Sequence, residues 1–161
     1  MMDKRELKID YFVCRDGLPT GYEDLCQRAM EASRTAYSIY SGFSVGVAVL
    51  LDNGEIVTGS NQENSAYPSG LCAERTALFY AGAQYPRCSV VAMALAACYN
   101  GELREESVTP CGACRQVMSE VVLRYGKDFD VIMVGKKESI VVKASALLPF
   151  TFVFSEKIAE R

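Results

Sequence analysis

Residues 43–61 read FSVGVAVLL-DNGE-IVTGSN, two strand-like segments on either side of a short turn. The segments, residues 43–51 and 56–61, are rich in the β-branched residues that favour strands. The connecting residues 52–55 have Asn-Gly at their centre, which is typical of a tight hairpin turn. Two strands joined by so short a turn must run antiparallel, so the sequence predicts a β-hairpin here.

The rest of the chain alternates between helix and strand patterns. Continuous apolar runs at residues 89–97 (SVVAMALAA) and 130–134 (DVIMV) are typical of strands buried on both faces, and a shorter strand is predicted near residues 139–142. Apolar residues recur with helical spacing in three segments, which are residues 22–36, 72–83 and 114–125. The order α-β-β-α-β-α-β-β predicts an α/β protein with three layers, α/β/α, around a mixed five-stranded sheet.

Length and composition limit the classes of function. A chain of 161 residues suggests a single domain over 1–161. The net charge of −3, without a basic stripe, argues against a nucleic-acid partner. No run approaches 18 apolar residues, so no membrane association is expected. Seven cysteines with no apolar segment typical of a secretory signal near the start fit a reducing, cytoplasmic location.

Three of the cysteines fall in two segments that each resemble the start of a helix. Cys72 opens the segment Cys-Ala-Glu-Arg, and Cys111 and Cys114 stand three residues apart in Pro-Cys-Gly-Ala-Cys-Arg-Gln. At a helix start this spacing brings both sulfurs near one point, and helix N-termini favour thiolates. Zinc binds thiolates tetrahedrally, and a catalytic site keeps one position for water. Because the chain has no histidine, sulfur must supply the ligands of such a site.

Two charged residues beside Cys72 add to this pattern. Glu74 lies on the same first helical turn as Cys72, where a carboxylate has a purpose only beside a metal with an open position. Three thiolates give the site excess negative charge, and Arg75 is placed to hydrogen-bond ligand sulfur and reduce that charge. The sequence therefore predicts Glu74 as the general acid/base and Arg75 as a support for the ligands.

The thiols alone leave two other interpretations open. A Cys-x-x-Cys pair in a cytosolic chain also occurs as a thioredoxin-like redox motif. The same pair can form half of a structural zinc site, with a fourth thiol from Cys88 or Cys98. The position of Glu74 favours the catalytic interpretation over both.

Cys-Ala-Glu followed by Pro-Cys-x-x-Cys resembles the zinc deaminase signature, with cysteine where many members have histidine. The similarity extends over about residues 24–154, through the segments FSVG (43–46), GSNQEN (59–64), YPSGLCAER (67–75) and LLPFTF (147–152). These segments are similar to the small, homotetrameric, three-cysteine cytidine deaminases. The resemblance implies a cytidine deaminase-like fold with a catalytic core over 22–154, and residues 1–21 are then an N-terminal extension or arm.

The resemblance also implies an activity. The expected reaction is zinc-dependent hydrolysis of cytidine and deoxycytidine to uridine and deoxyuridine with release of ammonia, as in pyrimidine salvage. One Zn²⁺ per subunit is expected on Cys72, Cys111 and Cys114, with water as the fourth ligand and Glu74 as the proton shuttle.

The family further implies substrate contacts at seven positions. Phe43 packs on the pyrimidine, and Asn61 and Glu63 hydrogen-bond the ribose hydroxyls. Phe152 comes from a neighbouring subunit of the homotetramer and closes the base pocket. Ser65 and Tyr67 lie near the subunit interface, and Ala73 joins the substrate-binding set.

Two segments depart from the family pattern, and two alternative functions stay open. Residues 97–106 form a longer loop than usual, and Ser65-Ala66 replaces the more common pairs beginning with alanine. A deaminase of modified cytosine nucleosides, such as the blasticidin type, is the nearest other enzyme. A zinc-stabilised binding module without turnover is the alternative from a different class.

Overall fold

A computed structural model describes residues 2–15 and 17–154. The strands are β1 (Tyr11–Arg15), β2 (Phe43–Leu51), β3 (Ile56–Ser60), β4 (Val90–Tyr99), β5 (Glu102–Leu103), β6 (Asp130–Val134) and β7 (Glu138–Lys143). The α-helices are α1 (Glu23–Ala32), α2 (Ala73–Gln84) and α3 (Gly112–Tyr125). Short 3₁₀ turns occupy Ser33–Thr35, Tyr67–Ser69 and Ala144–Leu147.

The strands form one mixed sheet in the order β1-β7-β6-β4-β2-β3, and β5 pairs with the end of β4. The predicted hairpin is confirmed, because β2 and β3 pair antiparallel from Gly46 opposite Ser60 to Leu50 opposite Ile56. The β4–β6 pair is parallel, and α3 lies in the connection between these two strands. The other pairs are antiparallel.

The sheet is buried on both faces, which confirms the three-layer arrangement. One face of β2 and β4, including Val47, Val49 and Met93, packs with the apolar sides of α2 and α3. The opposite face carries mainly small side chains such as Ala94 and packs against α1 around Cys26. Alternate residues of each strand therefore serve two separate halves of the core.

The predicted number of five strands is wrong, because the sheet has seven. Residues 1–21 are expected to form an N-terminal extension or arm, and within them the structure pairs Tyr11–Arg15 with β7 at the sheet edge. The long loop after β4 folds back as the two-residue strand β5, where Cys98 lies opposite Leu103. Both additions are short edge strands, whose weak periodicity is hard to tell from a loop. Within residues 2–15 and 17–154, no helix has the length and apolar character needed to cross a bilayer.

Candidate metal centre and active site

The N-termini of α2 and α3 meet at the predicted thiols. Cys72 is the N-cap of α2 and Cys111 is the N-cap of α3, both with extended backbone (φ −71° and −68°). Cys114 lies in the first turn of α3 and is fully buried. Pro110, which is also buried, precedes Cys111 and favours an extended entry into the helix. Local backbone preferences therefore bring the three thiols to one place.

The three sulfurs form a compact triangle. The distance between the Cys72 and Cys111 Sγ atoms is 3.8 Å, and that between the Cys111 and Cys114 Sγ atoms is 3.5 Å. All three sulfurs lie within 4.8 Å of one another. Ligands on a tetrahedron with a metal–sulfur bond of about 2.3 Å stand roughly 3.8 Å apart, so the donor set fits zinc. Among the described residues, this cluster contains neither Cys88 nor Cys98, which leaves a four-thiol structural site without its fourth ligand.

The thiols differ in their affinity for protons. Hydrogen bonding from Cys114, assisted by Arg75 and opposed by burial, lowers the pKa of Cys72 to about 5. The hydrogen bond with Cys72, together with burial and the charge of Glu74, raises the pKa of Cys114. One sulfur of the triangle thus ionises readily, and a cation that binds here must displace the proton held by Cys114.

Glu74 lies on the first turn of α2, two residues after Cys72. It is 5% exposed, which is unusual for a carboxylate. Burial raises the pKa of Glu74, and the charge of Cys72 adds to this effect. A buried carboxyl group with raised proton affinity beside a metal site is suited to accept and return protons.

Arg75 contacts the sulfur triangle from the neighbouring position on α2. Its Nη2 lies 3.6 Å from Cys72 Sγ, the geometry expected for a hydrogen bond to ligand sulfur. This hydrogen bond raises the pKa of Arg75. The Nε of Arg75 is buried and has no hydrogen-bond partner within residues 2–15 and 17–154.

A cleft of about 450 Å³ opens beside Cys72 and Arg75, a volume typical of small-molecule sites. Asn61, Glu63 and Tyr67 also line this cleft, so it gathers five of the predicted residues. A smaller, apolar cavity of about 210 Å³ lies between α2 and α3 and contains none of the predicted residues.

Asn61 and Glu63 are fixed by different partners. The Asn61 side chain accepts a hydrogen bond from the Val45 amide (2.7 Å) and donates one to the Phe43 carbonyl (2.9 Å). In the part of the chain that the structure describes, the second N–H of the Asn61 amide group has no partner, so it can bind a ligand. Glu63 accepts hydrogen bonds from Ser41 and from the amide of Tyr40, and the hydrogen bond from the Ser41 hydroxyl contributes most to lowering the pKa of Glu63.

The remaining predicted residues lie outside the lining of this cleft. Phe43 is half-buried at the start of β2, and Ala73 is fully buried as the first residue of α2. Ser65 is exposed in the loop before α2. Phe152 is 69% exposed, and its backbone is held by the side chain of Gln116.

Three residues near the site were missed by the sequence interpretation. Tyr40 and Ser41 line the cleft and hold Glu63, and the Arg104 guanidinium lies 5.9 Å from the centre of the Phe43 ring. The hydroxyl of Ser41, two positions before Phe43, was the available signal in the sequence. Nothing in the sequence links Arg104 to Phe43.

The model of the cytidine and deoxycytidylate deaminase zinc-binding region matches residues 19–125. The cytidine deaminase of Halalkalibacterium halodurans is 41% identical over 128 residues, which are 80% of this chain and 91% of that protein. The chain belongs to the cytidine and deoxycytidylate deaminase family. The metal of the thiol centre is therefore zinc, one ion per subunit, in agreement with the donor set.

Other members of the deaminase family agree with the fold. The probable cytidine deaminase of Dictyostelium discoideum is 36% identical over 141 residues, covering 86% of this chain and 88% of that protein. The crystal structure of the cytidine deaminase from Burkholderia pseudomallei is 34% identical and superposes with a TM-score of 0.72. The superposition covers 83% of this chain and all of that one, so most of the α/β architecture is common to both.

Proposed function

We propose that this chain hydrolyses cytidine and deoxycytidine to uridine and deoxyuridine and releases ammonia. The observation that carries the proposal is the buried Glu74 carboxyl group, with raised pKa, beside three converging sulfurs. Membership of the deaminase family supports the same reaction. A binding module without turnover has no use for a proton carrier at this position.

The reaction needs a nucleophile and a route for two protons. Zinc held by Cys72, Cys111 and Cys114 supplies the Lewis acidity that makes water nucleophilic near neutral pH. Glu74 takes one proton from the attacking water and delivers it to N3 of the cytosine ring. It then carries the second proton to the amino group on C4, which leaves as ammonia. One oxygen and two hydrogens enter from water, and the ring gains a carbonyl group at C4.

The substrate contacts follow from the family positions. Phe43 packs against the pyrimidine, while Asn61 and Glu63 hold the sugar hydroxyls from the wall of the cleft. Ser65, Tyr67 and Ala73 complete the substrate-binding set. Arg75 draws charge from the thiolate of Cys72.

The sugar-binding wall favours nucleosides over nucleotides. The lowered pKa of Glu63 keeps this carboxylate ionised at neutral pH, and its charge repels a 5′-phosphate. Cytidine is therefore expected to react faster than its monophosphate. Equal rates on the two substrates would contradict this preference.

The active unit is proposed to be a homotetramer in which Phe152 of one subunit closes the base pocket of another. The single domain over 1–161 then comprises an N-terminal extension (1–21) and a catalytic core (22–154). A role in pyrimidine salvage and a cytoplasmic location stay predictions from the sequence.

The test measures zinc content and conversion of cytidine to uridine on one preparation. The variant Glu74→Gln is expected to keep zinc and to lose at least 10²–10⁴-fold in turnover, because general acid–base catalysis typically contributes about that much. Glu31→Gln, which changes an exposed carboxylate on α1, is the matched control. Its zinc content and turnover should equal those of the wild type. Near-normal turnover of Glu74→Gln would reject the mechanism, and a zinc-loaded wild type that releases no ammonia would reject the function.

A panel of cytosine nucleosides separates the ordinary substrates from modified ones. Cytidine and deoxycytidine should be converted faster than a blasticidin-type nucleoside, because the intact Asn61-x-Glu63-Asn64 motif favours an ordinary ribose. A preference for the modified nucleoside would support the alternative deaminase.

A further inference from the structure

The hydroxyl of Ser41 lies between two residues that are proposed to contact substrate. Ser41 belongs to the loop before β2 and lines the cleft. Its hydroxyl donates a hydrogen bond to Oε1 of Glu63 and accepts one from the Phe43 amide at 3.0 Å. The same side chain therefore joins a carboxylate of the sugar-binding wall to the backbone of the residue that packs on the base.

Backbone donors from the same loop bind the other oxygen of Glu63. The amide of Tyr40 lies 2.8 Å from Oε2, and the amide of Ser41 lies 3.3 Å from it. A carboxylate offers about four acceptor positions on its two oxygens. Three are occupied by residues 40 and 41, so the direction in which Glu63 can accept a ligand hydroxyl is restricted.

The restriction matters because Glu63 is only half-buried and lies on a loop. A long, flexible carboxylate side chain loses rotamer entropy when a ligand orders it. Donors that hold it beforehand reduce this loss and improve binding by preorganisation. Both oxygens must be held to fix the carboxylate plane, and on Oε1 this hold comes from the Ser41 hydroxyl.

We propose that Ser41 is a positioning residue that orients Glu63 for the sugar hydroxyls of the nucleoside. This inference rests on the proposed nucleoside deaminase function and assigns the site a residue that acts through another. Loss of the Ser41 hydroxyl should therefore weaken the binding of ligands that carry sugar hydroxyls and leave the binding of ligands without them almost unchanged.

The test compares equilibrium binding of uridine and 2′,3′-dideoxyuridine to the zinc-loaded protein by titration calorimetry. These product-like ligands are not deaminated and differ only in the sugar hydroxyls. Ser41→Ala should lower the affinity for uridine roughly tenfold, because a hydrogen bond to a charged group is lost. The same variant should lower the affinity for dideoxyuridine less than about twofold. Ser41→Thr keeps the hydroxyl and should bind uridine as the wild type does.

The control is Ser38→Ala, a change in the same loop. The Ser38 hydroxyl lies 2.8 Å from that of Ser44, so its loss tests general damage to the loop. Ser38→Ala should leave both dissociation constants unchanged. A double-mutant cycle with Glu63→Gln adds an independent measurement, since the uridine effect of Ser41→Ala should disappear in that background.

Equal weakening of both ligands by Ser41→Ala, or no weakening of uridine, would overturn the inference. The inference is also overturned if Ser41→Ala weakens uridine binding as much in the Glu63→Gln background as in the wild type. These results are separate from the activity of the wild type, because a wild type that converts cytidine to uridine retains the proposed function whichever way Ser41 behaves. A wild type that binds neither ligand and also fails to convert cytidine to uridine would overturn both.

Discussion

The guanidinium of Arg75 lies beside the metal centre, whose three thiolates carry excess negative charge. Three thiolates on a divalent cation leave one net negative charge, which weakens the metal as a Lewis acid. Arg75 donates to Cys72 Sγ at 3.6 Å, and its Nε is buried without a partner among the described residues. Arg75 is partly buried, and a buried polar group without a partner is costly unless nearby negative charge stabilises the cation. The sulfur triangle supplies that charge, so arginine and thiolates stabilise each other.

Replacing Arg75 by glutamine should therefore weaken zinc binding. Loss of a partner that hydrogen-bonds a ligand typically costs 10–100-fold in metal affinity or activity. Competition with a chromogenic chelator measures the affinity, and the cytidine assay at saturating zinc measures turnover. Arg28→Gln, at an exposed position on α1, is the control. Unchanged zinc affinity together with unchanged turnover would contradict the role.

At the scale of single residues, the sequence predicts the metal centre better than the substrate site. Cys72, Glu74, Cys111 and Cys114 were found because each lies at a helix start, where local spacing fixes which side chains converge. Ser41 was missed because its bond to Glu63 joins two loops that are 22 positions apart. No periodicity relates such loops, so their pairing appears only when the sheet is assembled.

At the scale of elements, the close packing of α1 against β2 depends on Gly46. A Cβ atom at this position would overlap the Ala29 carbonyl oxygen and the Ser33 amide nitrogen, both part of the backbone around the end of α1. The face of β4 beneath α1 carries small side chains such as Ala94, which permit the same approach. The sequence signal was a glycine inside a strand, which often marks a close backbone approach.

Gly46→Ala and Gly82→Ala should change stability in opposite directions. At Gly46 the helix or strand must shift, and such overpacking costs about 1–3 kcal/mol or more in free energy of unfolding. Gly82 lies inside α2, where a Cβ meets the flexible end of Arg124 at 3.2 Å. Alanine there should add about 0.5–1 kcal/mol through helix propensity. Urea denaturation at one protein concentration compares the variants, and equal midpoints would contradict this prediction.

A second contact ties the start of α1 to the sheet. The Tyr22 hydroxyl donates to Oδ2 of Asp130 at 2.7 Å, and Lys143 contacts the other oxygen at 2.8 Å. The hydrogen bond to Asp130, with burial, raises the pKa of Tyr22 to about 12. Since the folded pKa exceeds the unfolded value of 10.0, the stabilisation is complete below pH 10 and is lost as the pH rises to about 12.

The free energy of unfolding should therefore fall between pH 10 and about 12 by more in the wild type than in Tyr22→Phe. After allowance for solvent screening of this partly exposed pair, the difference is on the order of 1 kcal/mol. Denaturant titrations at several pH values measure how the free energy of unfolding of each protein changes with pH. Parallel curves for the two proteins would show that the Tyr22–Asp130 bond does not stabilise the fold.

The edge strands β1 and β5 are the elements that the sequence pattern does not specify. The hairpin of β2 and β3 is encoded by a local turn, and β4 and β6 by their apolar runs. β1 pairs with β7 from the opposite end of the chain, and β5 pairs over two residues with β4. Such pairings depend on which edges the finished sheet leaves open, and no local pattern specifies them.

At the scale of the whole molecule, the C-terminal segment leaves Phe152 exposed and outside the lining of the cleft. The Gln116 side chain donates to the Phe152 carbonyl at 2.9 Å and accepts from the Phe152 amide at 3.3 Å. These bonds fix the backbone of the segment on α3, while the ring stays 69% exposed and is absent from the cleft lining. An aromatic ring held in this way suits a pocket on a second copy of the chain.

Mixing two inactive variants tests whether the ring crosses between subunits. Glu74→Gln lacks the proton carrier and Phe152→Ala lacks the ring, so each alone should have little activity. If Phe152 completes a neighbour's site, subunits exchanged in equal amounts produce some sites with both native residues, and about one quarter of wild-type activity should return. If the ring served its own subunit, no mixed assembly would contain an intact site. Activity equal to the average of the two separate variants would therefore reject the shared site, and re-associated samples of each variant alone provide the baseline.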